Sequence, residues 1–217
     1  MVDFQQRDTS RGLSDDAEDE NGDEQDSNEH APDDGDAQHD DNTEEHHHEH
    51  DEGHDHHHHD VESLGAAVVT VSTSRTLDDD PAGDAIAAAF ESEGHEVVAR
   101  ELVGDAHGAV RDTVDVLAAR EDVDVVVTTG GTGVTPDDVT IEAVSALFTK
   151  ELPGFGELFR MLSYDEIGTR IVGTRATAGI VEETPVFCLP GSENAARLGA
   201  EAIIVEEAGH LAGLAGR

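Results

Sequence analysis

A β-branched run that stops at a glycine turn constrains the fold of this chain more than any other feature. The run Val123–Thr129 consists mostly of Val and Thr, which suits a central strand buried on both faces of a parallel sheet. The turn Gly130–Gly133 follows at once, and glycine lets backbone N–H groups approach a phosphate closely. Asp137 and Asp138 come next, and carboxylates hold divalent cations against phosphate. The segment therefore predicts nucleotide or phosphate chemistry.

The glycine turn by itself leaves a second interpretation open. No Gly-Lys-Ser/Thr follows it, so it is not a Walker A loop, and it does not match the G-x-G-x-x-G pattern. Glycine turns after strands are often tight turns only, and acids near a helix start are favourable without any ligand.

Strand-like and helix-like patterns alternate through residues 61–217, which form one predicted domain. Short apolar runs predict strands over 66–72, 95–102, 123–129, 171–180 and 185–189. Helical spacing predicts helices over 82–93, 107–120, 139–149, 157–163 and 193–207, and the segment 153–156 is expected to interrupt the chain. This alternation implies βαβ units and a three-layer α/β sandwich with a mostly parallel central sheet.

Two of the predicted strands, 123–129 and 185–189, end in glycine-containing turns that precede helices. In open α/β sheets, ligands bind at the carboxyl ends of strands. We therefore expect Gly130–Gly133 and Pro190–Ser192 to face one pocket, where two helix N-termini attract anions. Ser192 is also explained as a helix N-cap without a ligand.

Residues 1–60 differ from the predicted domain in composition. They hold 23 Asp or Glu, 2 Arg and 11 His, and such a segment cannot bury enough apolar surface to offset its chain entropy, so we expect a disordered tail. Imidazole and carboxylate bind Zn²⁺, Ni²⁺ or Cu²⁺, so a metal store or delivery arm is one interpretation. A solvated acidic tail that binds metals weakly is the other, and low-complexity composition favours it.

Acidic residues also dominate the predicted domain, which carries −18 (10 Lys or Arg minus 28 Asp or Glu) of the chain's formal charge of −39. Lys150 is the only lysine, and the chain has six Phe, one Tyr and no Trp. This composition is typical of a halophilic protein, because at ~1 M salt a Debye length of ~3 Å makes self-repulsion tolerable. The absence of a basic patch argues against a nucleic-acid partner.

The remaining bulk features predict a cytoplasmic protein without a membrane partner. A single cysteine, Cys188, rules out an intrachain disulfide, and its place in an apolar strand favours a buried packing thiol. No apolar run reaches 18 residues, and the acidic N-terminus does not resemble a secretory signal.

Five segments occur in an order and spacing that are more specific than any one of them. They are TVS (70–72), TTGGTGVTPDDVT (128–140), ELPGFGELFRMLSYDEIGT (151–169), RATAGI (175–180) and LPGS (189–192). The set closely resembles the molybdenum-cofactor biosynthesis family of the MogA/MoaB type, the molybdopterin adenylyltransferases. The FRMLSYDEIGT stretch resembles the MoaB branch in particular. The resemblance covers about residues 64–210 and none of the tail.

The resemblance implies an α/β domain of the molybdopterin-binding type, assembled as a homotrimer or homohexamer. It implies the joining of molybdopterin and ATP, with Mg²⁺, to give adenylylated molybdopterin and pyrophosphate, for use by a downstream metal-insertion protein. Asp105 and Asp138 match acids implicated in this transfer, and both are expected to orient Mg²⁺ directly or through water. The residues that match the family's nucleotide- and pterin-binding segments are Ser72, Gly130, Gly131, Thr132, Gly133, Gly154, Glu157, Arg175, Pro190, Gly191 and Ser192.

One position departs from the family pattern. Many members carry Arg before the second acid, whereas this chain has Asp137. Either Arg75 or Arg175 compensates, or substrate binding depends more on Mg²⁺, or catalysis is weak. A non-catalytic molybdopterin-binding or scaffold protein of the same fold is therefore the alternative function, and a metal-handling protein acting through its His/Asp-rich tail is a third.

Overall fold

The computed structural model describes residues 60–217. The predicted disordered tail and its histidines lie outside the described residues, apart from Asp60. Within residues 60–217, no helix has the length and apolar composition needed to cross a membrane.

Six strands form one sheet in the order β2-β1-β3-β6-β5-β4. The strands are β1 (Gly65–Val71), β2 (Glu96–Val103), β3 (Val125–Thr129), β4 (Lys150–Glu151), β5 (Thr177–Val181) and β6 (Thr184–Leu189). Strands β2, β1, β3 and β6 pair in parallel, and β5 runs antiparallel to both β6 and β4. The predicted mostly parallel sheet is therefore confirmed.

Helices cover both faces of the sheet. They are α1 (Pro81–Ser92), α2 (His107–Ala118), α3 (Thr140–Ser145), α4 (Pro153–Ile167), α5 (Glu193–Gly199) and α6 (Val205–Ala215), with a 3₁₀ helix at Gly168–Gly173 and a π-helical segment at Ala200–Ile204. One core packs α1, α4, α5 and α6 on the sheet, and a second core packs α2 and α3 on the opposite face. The predicted three-layer sandwich is confirmed, with a core on each side of the sheet.

Strand β3 lies at the centre of both cores, as its β-branched composition predicts. All five of its residues are buried. Val125 and Val127 point into the core under α1 and α4, whereas Val126 points into the core under α2. This alternation follows from the period of two in a strand.

The prediction for the segment after the glycine turn was wrong in two respects. The helix over 139–149 is limited to Thr140–Ser145, and residues 150–151 form the short edge strand β4 instead. Asp138 lies ahead of α3, where its carboxylate accepts hydrogen bonds from Thr135 and closes a turn. The chain therefore crosses several non-helical residues between the glycine turn and α3.

The predicted interruption at 153–156 was also wrong. These residues form the first turn of α4, a 15-residue helix that replaces the predicted helix over 157–163. Pro153 is compatible with this position because the N–H groups of a first turn have no intrahelical partner. Phe155 then anchors the turn, with its ring 5.1 Å from that of Phe187 and edge-on to it.

The last third of the chain departs from the predicted boundaries. Residues 168–173 form a 3₁₀ helix, so the strand predicted over 171–180 is limited to β5. Strands β5 and β6 pair antiparallel through a two-residue turn at Glu182 and Glu183. The final helical region extends beyond residue 207 to Ala215.

Candidate functional site

The glycine turn after β3 and the loop after β6 meet at the carboxyl edge of the sheet. Because β3 and β6 are adjacent and parallel, their loops leave the sheet side by side. The Gly130 N–H donates to the Leu189 carbonyl at 3.1 Å, and a Cβ built on Gly191 would lie 3.0 Å from the Gly130 Cα. The two loops thus touch through their backbones.

Both loops contribute to one cavity of about 350 Å³, which Gly130–Gly133, Pro190 and Gly191 line and Ser192 does not. We call it the glycine-loop cavity. Its walls are Gly130, Gly131, Thr132, Gly133, Asp138, Gly173, Thr174, Arg175, Pro190 and Gly191.

Two glycines of this cavity are required by geometry. Gly130 and Gly131 have φ of 95° and 61°, which L side chains rarely adopt. A Cβ on Gly130 would lie 2.4 Å from the Val71 carbonyl oxygen, and one on Gly131 would lie 2.4 Å from Thr140 Oγ1. The same Thr140 hydroxyl donates to the Gly130 carbonyl at 2.8 Å, so α3 fixes the turn.

Asp138 is the carboxylate of the glycine-loop cavity. Its Oδ2 accepts from the Thr135 amide at 2.8 Å and from the Thr135 hydroxyl at 2.7 Å. The hydroxyl hydrogen bond is the main cause that lowers the pKa of Asp138, with further help from the Gly133 amide and the charge of Arg175. Asp138 is therefore ionised at neutral pH and suited to holding a cation rather than donating a proton.

Asp137 lies outside this arrangement. Its side chain is exposed, and it does not belong to the walls of the glycine-loop cavity. The anion that departs from the common family pattern is thus separated in environment from Asp138, although the two residues are adjacent in the chain.

Arg175 is held by protein groups on three sides. Its Nε donates to the Thr132 carbonyl at 3.2 Å, and its Nη2 donates to the Asp138 carbonyl at 3.4 Å. The guanidinium also pairs with Glu142 of α3, and this hydrogen bond lowers the pKa of Glu142. Arg175 therefore ties the glycine turn, the Asp138 segment and α3 together.

Arg75 reaches the other loop of the cavity. Its Nη2 donates to the Gly191 carbonyl at 3.1 Å, and its Nη1 lies 3.5 Å from Oδ1 of Asp80. Ser72 Oγ accepts from the Arg75 amide at 3.2 Å, which orders the loop after β1. Sequence reasoning missed Asp80 and Glu142 in this region. The Asp80-Pro81 pair carries an N-cap signal that would have placed Asp80 at the start of α1.

The structure does not bring Asp105 to the walls of the glycine-loop cavity. Asp105 is half-buried in the loop between β2 and α2. Strand β1 lies between β2 and β3, so this loop is two strand spacings, roughly 10 Å, from the glycine turn along the same edge. Ser72 lies between them, since its amide donates to the Val103 carbonyl at the end of β2.

Three further predicted site residues lie away from the glycine-loop cavity. Gly154 lines a separate, mainly apolar cavity with Phe155, Leu158 and others, and Glu157 is exposed on α4. Both were expected beside the pocket, but α4 starts at residue 153 and carries them to a different part of the domain. Ser192 caps α5 by accepting from the Ala195 amide at 3.4 Å.

A second cavity of about 450 Å³ adjoins the first. The two share Thr174 and Pro190 as walls. The second cavity combines apolar walls that include Phe159 with polar and acidic residues, which are Ser163, Glu166, Ser192, Glu193 and Asn194. The carboxyl edge therefore offers adjoining space for the two parts of a large, partly anionic ligand.

The donors of the site fit a magnesium ion that waters and substrate phosphates also bind. Among residues 60–217, no group of three or more His, Cys, Asp or Glu side chains is arranged to hold a metal. Mg²⁺ usually retains several waters and binds one or two carboxylates together with substrate phosphates. One ionised carboxylate beside a phosphate-sized backbone turn satisfies that requirement.

Comparison with known proteins connects this geometry to one family. Residues 67–210 match the family model described as "Probable molybdopterin binding domain". The chain is 45% identical over 145 residues to molybdenum cofactor biosynthesis protein B of Bacillus subtilis, covering 66% of this chain and 85% of that protein. It is 43% identical over 141 residues to the protein of the same name in Escherichia coli, covering 65% and 83%.

Solved structures agree with the sequence matches. A crystal structure of molybdenum cofactor biosynthesis protein B is 43% identical with a TM-score of 0.69, covering 71% of this chain and 97% of that one. The tungsten cofactor synthesizing protein MoaB from Pyrococcus furiosus is 39% identical with a TM-score of 0.63, covering 72% and 99%.

Proposed function

The chain belongs to the family of molybdopterin binding domains, in its MogA/MoaB-type group and on the MoaB branch, and from this premise we propose that it adenylylates molybdopterin. The family places the chain in molybdenum cofactor biosynthesis. The proposed reaction joins ATP and molybdopterin and releases pyrophosphate. The observation that carries the proposal is the ionised Asp138 beside a backbone turn whose two glycines have positive φ.

The reaction needs alignment and charge neutralisation more than covalent help from the protein. A terminal phosphate oxygen of molybdopterin attacks the α-phosphorus of ATP. A new P–O bond forms there, the bond to the β-phosphate breaks, and pyrophosphate leaves with the electron pair. The attacking phosphate is already ionised near neutral pH, so no general base is required.

The residues of the site divide these tasks in the proposal. The Gly130 N–H already donates to the Leu189 carbonyl and the Gly133 N–H to Asp138, so the N–H groups of Gly131 and Thr132 hold phosphate oxygens in the proposal. The Pro190–Gly191 loop closes the facing wall. Asp138 would hold Mg²⁺, and the ion would supply positive charge to offset the charge that develops on the pyrophosphate. Asp105 remains a proposed second acid, acting from the neighbouring loop on the part of the substrate that extends along the sheet edge.

The two adjoining cavities support a two-part substrate. Together they provide the anion-friendly turn and a partly apolar space, as a nucleotide next to a pterin requires. The larger cavity has an aromatic ring, Phe159, in its walls. Neither cavity is assigned to one substrate in the proposal.

Pyrophosphate release tests the proposed function. Purified full-length protein is incubated in molar KCl with ATP, Mg²⁺ and molybdopterin, and pyrophosphate is measured. We expect release that requires all three components and stops when EDTA removes the metal. Release that does not depend on molybdopterin would contradict the proposal, because it would indicate simple ATP hydrolysis.

A non-catalytic molybdopterin-binding or scaffold protein is the second candidate. The contacts of Arg175 favour this candidate. Arg175 is the only basic residue in the walls of the glycine-loop cavity, and its guanidinium is bound to Glu142 and to two backbone carbonyls. When the arginine of a site is already paired with protein groups, less positive charge is available to stabilise a pentacoordinate phosphorus. Calorimetry that shows tight molybdopterin binding, in a sample that forms no pyrophosphate, would favour this candidate.

The proposed homotrimer or homohexamer has support from exposed apolar side chains. Met161 and Tyr164 of α4 are 65% and 54% exposed, and Val172 of the following 3₁₀ helix is 89% exposed. Side chains of this size are usually covered when several lie close together in a soluble domain. Light scattering after gel filtration in molar KCl measures the mass directly. The metal-handling role of residues 1–59 stays a prediction outside the described residues.

A further inference from the structure

Asp80 is a buried carboxylate that the proposed reaction does not use. Its side chain is 1% exposed. Its Oδ2 accepts from the Thr70 hydroxyl at 2.6 Å, and its Oδ1 accepts from the Gly83 amide at 3.1 Å. It therefore joins the end of β1 to the start of α1. A buried carboxylate of this kind requires charged partners as well as hydrogen bonds.

Two arginines supply that charge from different elements. Arg100 of β2 donates to Asp80 at 3.2 Å and also pairs with Asp84 at 2.7 Å. Arg75 of the β1–α1 loop lies 3.5 Å from Asp80. The two side chains are similarly exposed, at 30% and 31%. They differ in what else they contact.

Arg75 is the partner that reaches the binding loops. Its Nη2 donates to the Gly191 carbonyl at 3.1 Å, and Gly191 in turn packs against the Gly130 backbone. Its own amide is held by Ser72 Oγ at 3.2 Å. Arg75 does not belong to the walls of the glycine-loop cavity. Its guanidinium therefore contacts the loop without being part of the wall of that cavity.

We propose that Arg75, held by Asp80, is a positioning residue that sets the distance between the Pro190–Gly191 loop and the glycine turn. Its kinetic consequence rests on the proposed adenylyl transfer. Arg75 is already bound to a backbone carbonyl and to a buried carboxylate. It therefore does not serve as a phosphate-binding cation in place of the arginine that many family members carry at the position of Asp137. A loop released from this contact widens the cavity and weakens ground-state binding of the substrate part that it covers.

Paired substitutions separate this role from general stability. Arg75→Met and Arg100→Met each remove one cation from Asp80, but only Arg75 contacts the Gly191 carbonyl. We expect Arg75→Met to raise the KM of ATP or of molybdopterin about tenfold, equivalent to about 1.4 kcal/mol, with kcat changed less than twofold. Both variants are expected to lower the melting temperature by similar amounts, because each removes one cation from Asp80. Arg100→Met is expected to leave both KM values unchanged. Arg75→Lys is expected to restore part of the KM.

Hydrogen–deuterium exchange provides a readout that does not need catalysis. In the unliganded protein, we expect the backbone amides of residues 191–196 to exchange faster in Arg75→Met than in wild type, and to be unchanged in Arg100→Met. Equal exchange in all three proteins would overturn the proposal, as would equal KM changes in both variants.

The two proposals fail in distinguishable ways. If wild type releases no pyrophosphate, the adenylyl-transfer proposal fails, and the exchange comparison still decides whether Arg75 positions the loop. If wild type is active and Arg75→Met matches it in both KM values and in exchange, the positioning role fails alone.

Discussion

Replacement of Asp138 by Asn tests the central carboxylate of the proposed site. The change removes one negative charge and keeps an oxygen that is able to accept both hydrogen bonds from Thr135. Two unit charges ~4 Å apart interact by ~1 kcal/mol in water and ~4 kcal/mol at an effective dielectric constant of ~20. Asp138 is half-buried, so we take about 2.5 kcal/mol, which corresponds to a loss of kcat/KM of about 70-fold.

The neighbouring Asp137→Asn variant is the matched control. It removes the same charge one residue earlier from an exposed side chain outside the cavity. At ~1 M salt the Debye length is ~3 Å, so we expect less than a twofold change in kcat/KM. Pyrophosphate release is measured for both variants over a range of Mg²⁺ concentrations. Equal rates in Asp138→Asn and wild type, or equal losses in the two variants, would refute the assigned role.

Stability provides a second check on Asp138. Loss of charge assistance in two partly exposed hydrogen bonds costs about 1 kcal/mol or less, which lowers the melting temperature by roughly 2–4 °C. The pKa of Asp138 is lowered in the folded state. The ionised carboxylate therefore contributes fully to the free energy of unfolding above its unfolded-state pKa of ~3.9, and this contribution is lost as the pH falls through the folded-state pKa. Wild type should therefore lose more stability than Asp138→Asn as pH falls below about 4.

Four other substitutions and one labelling experiment give independent tests. Gly130→Ala places a Cβ 2.4 Å from the Val71 carbonyl oxygen of β1, at a position whose φ is 95°. We therefore expect the free energy of unfolding, measured by urea titration, to fall by more than about 2 kcal/mol. Gly154→Ala meets nothing within 4 Å, so it should raise that free energy by about 0.4–1 kcal/mol; an equal loss for both glycines would contradict the steric argument. Glu182 has φ of 53° in the β5–β6 turn, so Glu182→Asn should stabilise the protein by about 0.5–1 kcal/mol, whereas Glu183→Asn should not. Burial raises the pKa of the Cys188 thiol to about 12, so a thiol reagent at pH 8 should label it only after unfolding; rapid labelling of folded protein would show that β6 is accessible.

Local sequence patterns predicted the central part of the fold well. The Val and Thr composition of β3 predicts burial on both faces, and the structure places β3 between two cores. Pro81 followed by a helical pattern predicts the start of α1, which the structure confirms. These predictions succeed because strand burial and helix starts depend on residues close together in the chain.

The boundaries that failed depend on distant contacts. The helix predicted over 139–149 ends at Ser145, and the chain then joins the sheet. The Thr149 amide donates to the Ile180 carbonyl at 2.8 Å, and Lys150–Glu151 pairs with β5 as an edge strand. Pro153–Gly156 becomes helical because Phe155 packs against Phe187 of β6. Pro153 is locally compatible with a helix start, but the contacts with Ile180 and Phe187 come from residues about 30 positions away.

The sequence by itself determined which segments form the candidate site and which family they belong to. Gly130–Gly133 and Pro190–Ser192 were identified by their glycines at strand ends. The structure brings Gly130–Gly133, Pro190 and Gly191 to one cavity, whereas Ser192 lines the adjoining one. Only the tertiary structure decided how the charges are used. Strand order separates Asp105 from Asp138, and Arg75 contacts a carbonyl 116 residues away in the chain. Such contacts depend on strand order and register, which local patterns of hydrophobicity and turn residues do not encode.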